Sequence, residues 1–371
     1  MRGTGILLIQ LGTPDAPTAT ALRPYLRQFL GDRRVIEVPR LPWWFILNLF
    51  ILPFRPARSA AKYARIWDEK TGSPLLHYTR RQVEELQKLF PDIPVAFGMQ
   101  VGNPSVDLVV RNLIERGVER LLVLPMYPQY SATTTASATD VLFETLKKVR
   151  RVPALRIVPP YYAHPAYLDA EVSIIREQIA KLPWEPEHFV ISFHGIPISY
   201  AKRGDPYATH VKRTTARLVE RLGWPRTMWT QTFQSLFGRE EWLKPYTDDV
   251  LAKLARRGVK RVFVATPGFT VDCLETIDEI GRESREVFVH AGGESLHQCP
   301  CLNDHPQWIA AMNTILREEG HGWLLGGSSG ARPTRAPDAS RIGVKSPPRR
   351  VGRTPKHPAQ ASFDSPRAVD C

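Results

Sequence analysis

The chain has 371 residues, 43% hydrophobic and 9% aromatic, which is enough material for two ordinary domains and excludes a wholly disordered protein. A net charge of +13 invites a nucleic-acid or anionic-membrane partner, yet about half of the excess sits after Leu324, where about nine Lys/Arg face about three Asp. Residues 324–371 are rich in Pro, Ser, Gly and Arg and show no hydrophobic period. Such a segment cannot bury enough apolar surface to offset its ordering entropy, so it reads as a disordered, solvated basic tail, and no nucleic-acid partner is expected. Met1-Arg2-Gly3-Thr4 runs straight into a strand-like stretch, so no signal peptide is expected. The four cysteines, Cys273, Cys299, Cys301 and Cys371, lack the paired spacing of a disulfide framework, and a reducing cytoplasm fits.

In chain order, "GILLIQLGTP" (5–14) reads as a buried strand ending in a Gly-Thr-Pro turn. "LPWWFILNLFILPF" (41–54) follows, almost unbroken in its apolar character and flanked by Arg40 and Arg55. It is too short to span a bilayer, which needs about 20 residues. Two tryptophans beside basic flanks suit an interfacial segment or the lip of an apolar pocket; a buried core helix is the alternative. "RRQVEELQKLF" (80–90) and "TTARLVERLG" (214–223) carry helical period. Further strands are expected at "PVAFGMQ" (94–100), "RLLVLPMYPQY" (120–130), "HFVISFHGIP" (188–197), "TMWTQTFQS" (227–235) and "RVFVATPGF" (261–269). Continuous apolar strands alternating with amphipathic helices predict parallel sheets covered on both faces.

The two halves also match each other. "ILLIQLGTP" aligns with "FVISFHGIP", "GVERLLVLP" with "GVKRVFVATP", and Gln100 with Gln234. The repeat predicts two similar doubly wound, Rossmann-like α/β domains, 1–163 and 164–323, with ligands bound beyond the carboxyl ends of their strands. His194, Tyr127 and Pro267 fall at such ends. The first half carries Leu11 where the second carries His194, and one ionisable group against one hydrocarbon is the asymmetry of an active cleft. A histidine there could serve as a base or a metal ligand, or be satisfied by a nearby carbonyl. After Pro267-Gly268 a helix is expected from about Asp272, with Glu275, Glu279 and Glu283 at i, i+4 and i+8 forming one file of carboxylates. Asp278 lies beside it, and Arg282 and Arg285 are the interleaved cations. Imidazole with hard carboxylate oxygens suits a first-row divalent ion, and such a file could carry protons or metal. Tyr127, Tyr130, Phe233, Trp242 and Phe269 surround the same strand ends, where a large flat apolar ligand would use them.

These residues carry a resemblance. "QLGTP", "GSPLL", "YPQYS", "SFHGIP", "RGDPY", "TFQSLFGREEWL" and "PGFTVDCLETIDEI" occur in order over some 320 residues, and the chain resembles the ferrochelatase family, proteobacterial forms most of all. The resemblance implies two four-stranded Rossmann-like domains of chelatase type and insertion of Fe²⁺, as a substrate, into protoporphyrin IX with release of two protons. By motif it implies His194 as the active-site histidine and Glu275 as its acidic partner, both metal ligands, and Glu279 and Glu283 as a relay. It implies Leu11, Arg33, Arg34, Tyr127, Tyr130, Trp242 and Phe269 as porphyrin-binding residues, and it associates 41–54 with peripheral membrane contact. Cys301 belongs to the ordinary "PCLND" motif, so no iron–sulfur cluster is expected. A chelatase for coproporphyrin III or another tetrapyrrole, and a non-enzymatic two-lobed haem- or metal-binding protein, remain alternatives.

Overall fold

A computed structural model describes residues 3–236, 238 and 240–324. The expected tail falls almost wholly outside them. The strands β1 (Thr4–Gln10), β2 (Val95–Met99), β3 (Arg120–Pro125) and β4 (Ala154–Ile157) form one parallel sheet in the order β2-β1-β3-β4. The strands β5 (His188–His194), β6 (Trp229–Gln234), β7 (Arg261–Ala265) and β8 (Ser295–Gln298) repeat that permutation as β6-β5-β7-β8. Registers correspond too: Ile6 lies opposite Val95 and Leu122, and Val190 opposite Thr230 and Val264. The internal repeat is therefore structural. The expected strands are all present, and β4 and β8 complete at the sheet edges the four-stranded arrangement that the resemblance implies.

Burial on both faces explains the unbroken apolar runs. Successive side chains of a strand point to opposite faces, so Ile6 and Leu8 enter one core while Leu7 and Ile9 enter another with Val106, Val110 and Leu142. The first of these cores is shared between the halves, since Phe189, Phe263, Ala265 and Trp308 belong to it as well. Polar contacts join the halves at the strand ends. Thr270 donates to the Met126 carbonyl at 3.2 Å, Gln129 donates to Thr214 at 3.1 Å, and Asp205 accepts from Ser131 Oγ and the Ala132 amide at 2.8 and 2.7 Å.

The apolar segment at 41–54 is neither a strand nor a core helix. It is the α-helix Arg40–Phe45, the π-helix Ile46–Ile51 and the start of the α-helix Leu52–Ile66. Trp43, Leu47 and Leu52 are buried, and Trp43 Nε1 donates to the Leu30 carbonyl at 2.7 Å. Leu41 and Phe54 are each 71% exposed, Phe50 is 65% exposed, and Trp44, Phe45, Ile46 and Leu49 are also open. Seven large apolar side chains turned outward on one short stretch make an amphipathic segment with an exposed apolar face rather than a core helix. Among the described residues no helix is long and apolar enough to cross a membrane.

Candidate active site

β5 ends on His194, and Gly195 follows in a crowded position: a Cβ there would lie 3.0 Å from the Trp242 ring and 3.1 Å from the Gln234 carbonyl, closer than most side chains allow. The glycine lets Trp242 close over the turn, which is further pinned by the bridge between Pro197 and Trp242. The imidazole sits between Trp242 and Phe269, with ring centroids at 6.3 and 6.5 Å. Its Nδ1 lies 2.6 Å from the Gly195 carbonyl. A carbonyl only accepts, so Nδ1 carries the proton and the basic lone pair is left on Nε2. The carbonyl contact and the role of a base are thus compatible.

The acidic file lies on a π-helix, Glu275–Ser284, and not on the α-helix its spacing predicts. Hydrogen bonding from i to i+5 widens each turn, yet residues four apart still share a face. The inner end of the file is partly buried. Gln234 Nε2 donates to the Glu275 carbonyl at 2.7 Å, holding the first turn against the end of β6. The Glu275 charge adds to burial in pushing up the Tyr25 and Tyr63 phenols and the Cys273 thiol. Tyr25 and Tyr63 meet edge-on at 6.2 Å.

Glu279 is clamped by Ser235, whose amide and hydroxyl donate to its two oxygens at 2.7 and 2.6 Å. Ser235 reaches both because its backbone is left-handed (φ 66°), a conformation few non-glycine residues adopt. Burial raises the Glu279 pKa; the Ser235 hydroxyl and the His194 imidazole pull it down, and Glu275 pushes it up. Glu279 therefore lies in the field of both His194 and Glu275, one on each of the converging elements.

At the outer end, cations from elsewhere in the chain join the interleaved Arg282. Glu283 accepts from Lys62 at 2.7 Å and from Arg282 at 2.9 Å, and Asp278 is buried between Arg65 at 3.2 Å and Arg282 at 2.7 Å. Two of these cations come from the helix Leu52–Ile66, more than 200 residues away in sequence, so no local charge pattern could reveal them. Tyr25 and Tyr63 are hidden by the same long range, and the Ser235 clamp by a separation of 44 residues.

The remaining site residues are scattered around these. Tyr127 donates to Gln100 Oε1 at 3.0 Å, and burial raises its phenol well above the usual range. The Tyr130 amide donates to His210 Nδ1 at 3.2 Å. Leu11 closes β1, and its carbonyl accepts from the Val101 amide at 2.8 Å. Arg34 is held by Asp140 at 2.7 Å, whereas Arg33 is exposed and makes no such pair among the described residues. Cys299 and Cys301 are buried, and burial holds both thiols well above their usual range. Among the described residues no group of three or more His, Cys, Asp or Glu side chains gathers at metal-ligand spacing.

Two four-stranded parallel sheets of the same permuted strand order, each flanked by helices, define the class: this is the fold of the chelatases. SirB from Bacillus subtilis with Fe3+ matches with a TM-score of 0.53 over 86% of this chain and 96% of that one, at 13% identity. The sirohydrochlorin chelatase SirB from Bacillus subtilis subspecies spizizenii, in complex with cobalt, gives 0.51 at 12% identity, covering 86% of this chain and 95% of that one. At such identity the likeness concerns the fold alone. Sequence makes the assignment narrower. The ferrochelatase family model matches residues 3–320, and the ferrochelatases of Mesorhizobium japonicum (strain LMG 29417 / CECT 9101 / MAFF 303099) and Rhizobium meliloti (strain 1021) are 48% and 47% identical over 86% of this chain and 92% and 96% of their own lengths. The chain belongs to the ferrochelatase family.

Proposed function

We propose that this chain inserts ferrous iron into protoporphyrin IX to give protohaem, in the cleft between its two domains, 1–163 and 164–323. What supports the site assignment is that the end of β6 lies between the two elements: Gln234 pairs with His194 at the end of β5 and donates to the Glu275 carbonyl, and Ser235 donates to the Glu279 carboxylate. A free porphyrin holds two N–H protons in a ring that a metal cannot enter in its plane. Apolar walls such as Trp242, Phe269 and Tyr127 supply binding energy that favours a bent macrocycle with its nitrogen lone pairs turned to one face. His194 Nε2, whose lone pair is free, accepts a pyrrole proton. Glu275 acts as the acidic partner, and the carboxylates beyond it take protons or metal away from, or toward, the centre. As iron enters, four Fe–N bonds form and two N–H bonds break, so the two protons released balance the 2+ charge gained.

Continuous protoporphyrin fluorescence with Fe²⁺ or Zn²⁺ and the purified chain tests this: the signal should convert to that of the metalloporphyrin. A rate equal to that of buffer alone would refute it. Along the file the losses should be graded. Glu275→Gln is expected to lower kcat by about 10²-fold or more, the usual range for losing a positioned acid or base. Glu283→Gln, whose charge is already neutralised by Lys62 and Arg282, should cost about fivefold at most, a surface-pair effect. Equal losses at both positions would contradict a graded relay.

The outward apolar lip supports peripheral contact with a membrane surface from the cytoplasmic side. Its seven exposed side chains lie beside Arg40 and Arg55, the arrangement that seats a short amphipathic helix at headgroup depth. Substituting Phe50 and Phe54 together by glutamate should reduce flotation with anionic vesicles about tenfold or more, since each buried large apolar side chain contributes about 1.5–3 kcal/mol. Undiminished flotation would exclude the lip as the contact.

A further inference from the structure

Behind Tyr127 runs a chain of hydrogen bonds whose direction is set at its far end. Tyr127 Oη donates to Gln100 Oε1 at 3.0 Å, Gln100 Nε2 donates to Ser137 Oγ, and Ser137 Oγ donates to Asp32 Oδ2. Asp32 Oδ1 is occupied separately by the Arg34 amide at 2.7 Å. The links come from four places: the turn after β3, the end of β2, the first turn of the helix Ser137–Leu146, and the cap of the helix Ala19–Gly31. Gln100 and Ser137 are almost fully buried, so their hydrogen bonds cannot be exchanged for water at little cost. Gln28 bonds to the Gln100 carbonyl and the Gly102 amide, both at 3.1 Å, and so holds the Gln100 backbone in place.

A carboxylate has no proton to give, so Ser137 must donate to it. The serine oxygen then accepts from Gln100, which fixes the amide with its oxygen toward Tyr127. The phenol must donate in turn, and it spends its one proton inward. We infer that Asp32 is a positioning residue: through Ser137 and Gln100 it keeps the Tyr127 oxygen turned to the cleft as an acceptor, so that this wall receives a donor such as a pyrrole N–H or an iron-bound water. The inference rests on the reading of Tyr127 as a wall of the metallation site.

Asp32→Asn should reverse the chain. The backbone amide of Arg34 can only donate, so the new carboxamide oxygen takes that side and its NH₂ faces Ser137. Ser137 then donates to Gln100, the Gln100 amide turns over, and its NH₂ donates to Tyr127, whose own proton swings into the cleft. The test has two readouts. The Raman Fermi doublet of Tyr127, isolated as the difference between each protein and its Tyr127→Phe counterpart, reports whether the phenol donates or accepts and needs no turnover. It should read donor in the wild type and acceptor in Asp32→Asn; an unchanged doublet overturns the inference. In a double-mutant cycle on protoporphyrin metallation, Asp32→Asn and Tyr127→Phe should each lower kcat by about tenfold, and the double variant by no more than either alone, as for two residues acting together. Losses that multiply would mean that Asp32 acts elsewhere, which also overturns it. Should Asp32→Asn not fold, Ser137→Ala breaks the chain at its middle and must show the same non-additivity with Tyr127→Phe. A wild type that does not metallate porphyrin would count against the proposed function, and the doublet would still decide the chain.

Discussion

Replacing His194 by alanine is expected to lower metal insertion by about 10³-fold or more, at the upper end of what a positioned proton acceptor contributes, while protoporphyrin affinity stays within about threefold. The division follows from the geometry. Binding is carried by apolar area, and Trp242 and Phe269 hold their places without the imidazole, the former through the close approach at Gly195. In the proposed mechanism chemistry rests on the Nε2 lone pair, which is left free because Nδ1 is committed to the Gly195 carbonyl. His194→Asn separates the two roles of the side chain. It can keep a donor near that carbonyl but has no basic nitrogen, so it should be as inactive as alanine. Porphyrin binding would be read by quenching of tryptophan emission and turnover by porphyrin fluorescence. Turnover retained in either variant would remove His194 from the mechanism.

The second large effect concerns stability and lies away from the cleft. Glu171, on the helix Pro165–Lys181, is buried near Tyr167 and Tyr161, whose rings pack with Trp308. Burial pushes its carboxyl up to about 8, with the Tyr167 hydroxyl opposing. Among the described residues, one of its oxygens, the Tyr161 hydroxyl and the Trp308 indole nitrogen have no hydrogen-bond partner, while Tyr167 donates to the Pro267 carbonyl at the turn before Phe269. The folded carboxyl keeps its proton where an unfolded one, at about 4.5, has lost it. Between those two values the native state binds more protons than the unfolded chain, so stability must fall as the pH rises from about 4.5 to about 8. The contribution is present in full below that window and lost above it. Its size is on the order of a few kcal/mol, because each tenfold difference in proton affinity between the folded and unfolded states is worth about 1.4 kcal/mol. Glu171→Gln cannot ionise, so its melting temperature should match the wild type near pH 5 and exceed it by several degrees at pH 8.5. Equal melting temperatures at both pH values would show that Glu171 ionises freely in the fold.

Legibility from sequence followed the range of the interactions involved. The strands at 5–14, 94–100, 120–130, 188–197, 227–235 and 261–269 were readable because a strand buried on both faces must be apolar at every position. β4 and β8 escaped notice. Each has four residues, lies at a sheet edge and is only partly buried, so "ALRI" and "SLHQ" need no continuous apolar run. The acidic spacing after Pro267 was legible, but the π-helix was not, because a widened turn leaves the same residues on the same face.

The sequence by itself determined the duplicated α/β architecture, the histidine at the end of β5 and the file of glutamates, because strand burial, a Gly-x-Pro turn and helical spacing are all written within about ten residues of chain. It also carried the motifs that place the chain in its family. Tertiary structure alone decided what surrounds those groups: the Ser235 clamp on Glu279, the Lys62 and Arg65 partners of Glu283 and Asp278, the tyrosine pair beside Glu275 and the chain from Asp32 to Tyr127. Hydrogen bonds and ion pairs act over a few ångströms, and folding brings within that distance residues that are from 27 to more than 200 positions apart along the chain. No local pattern in the sequence encodes such meetings.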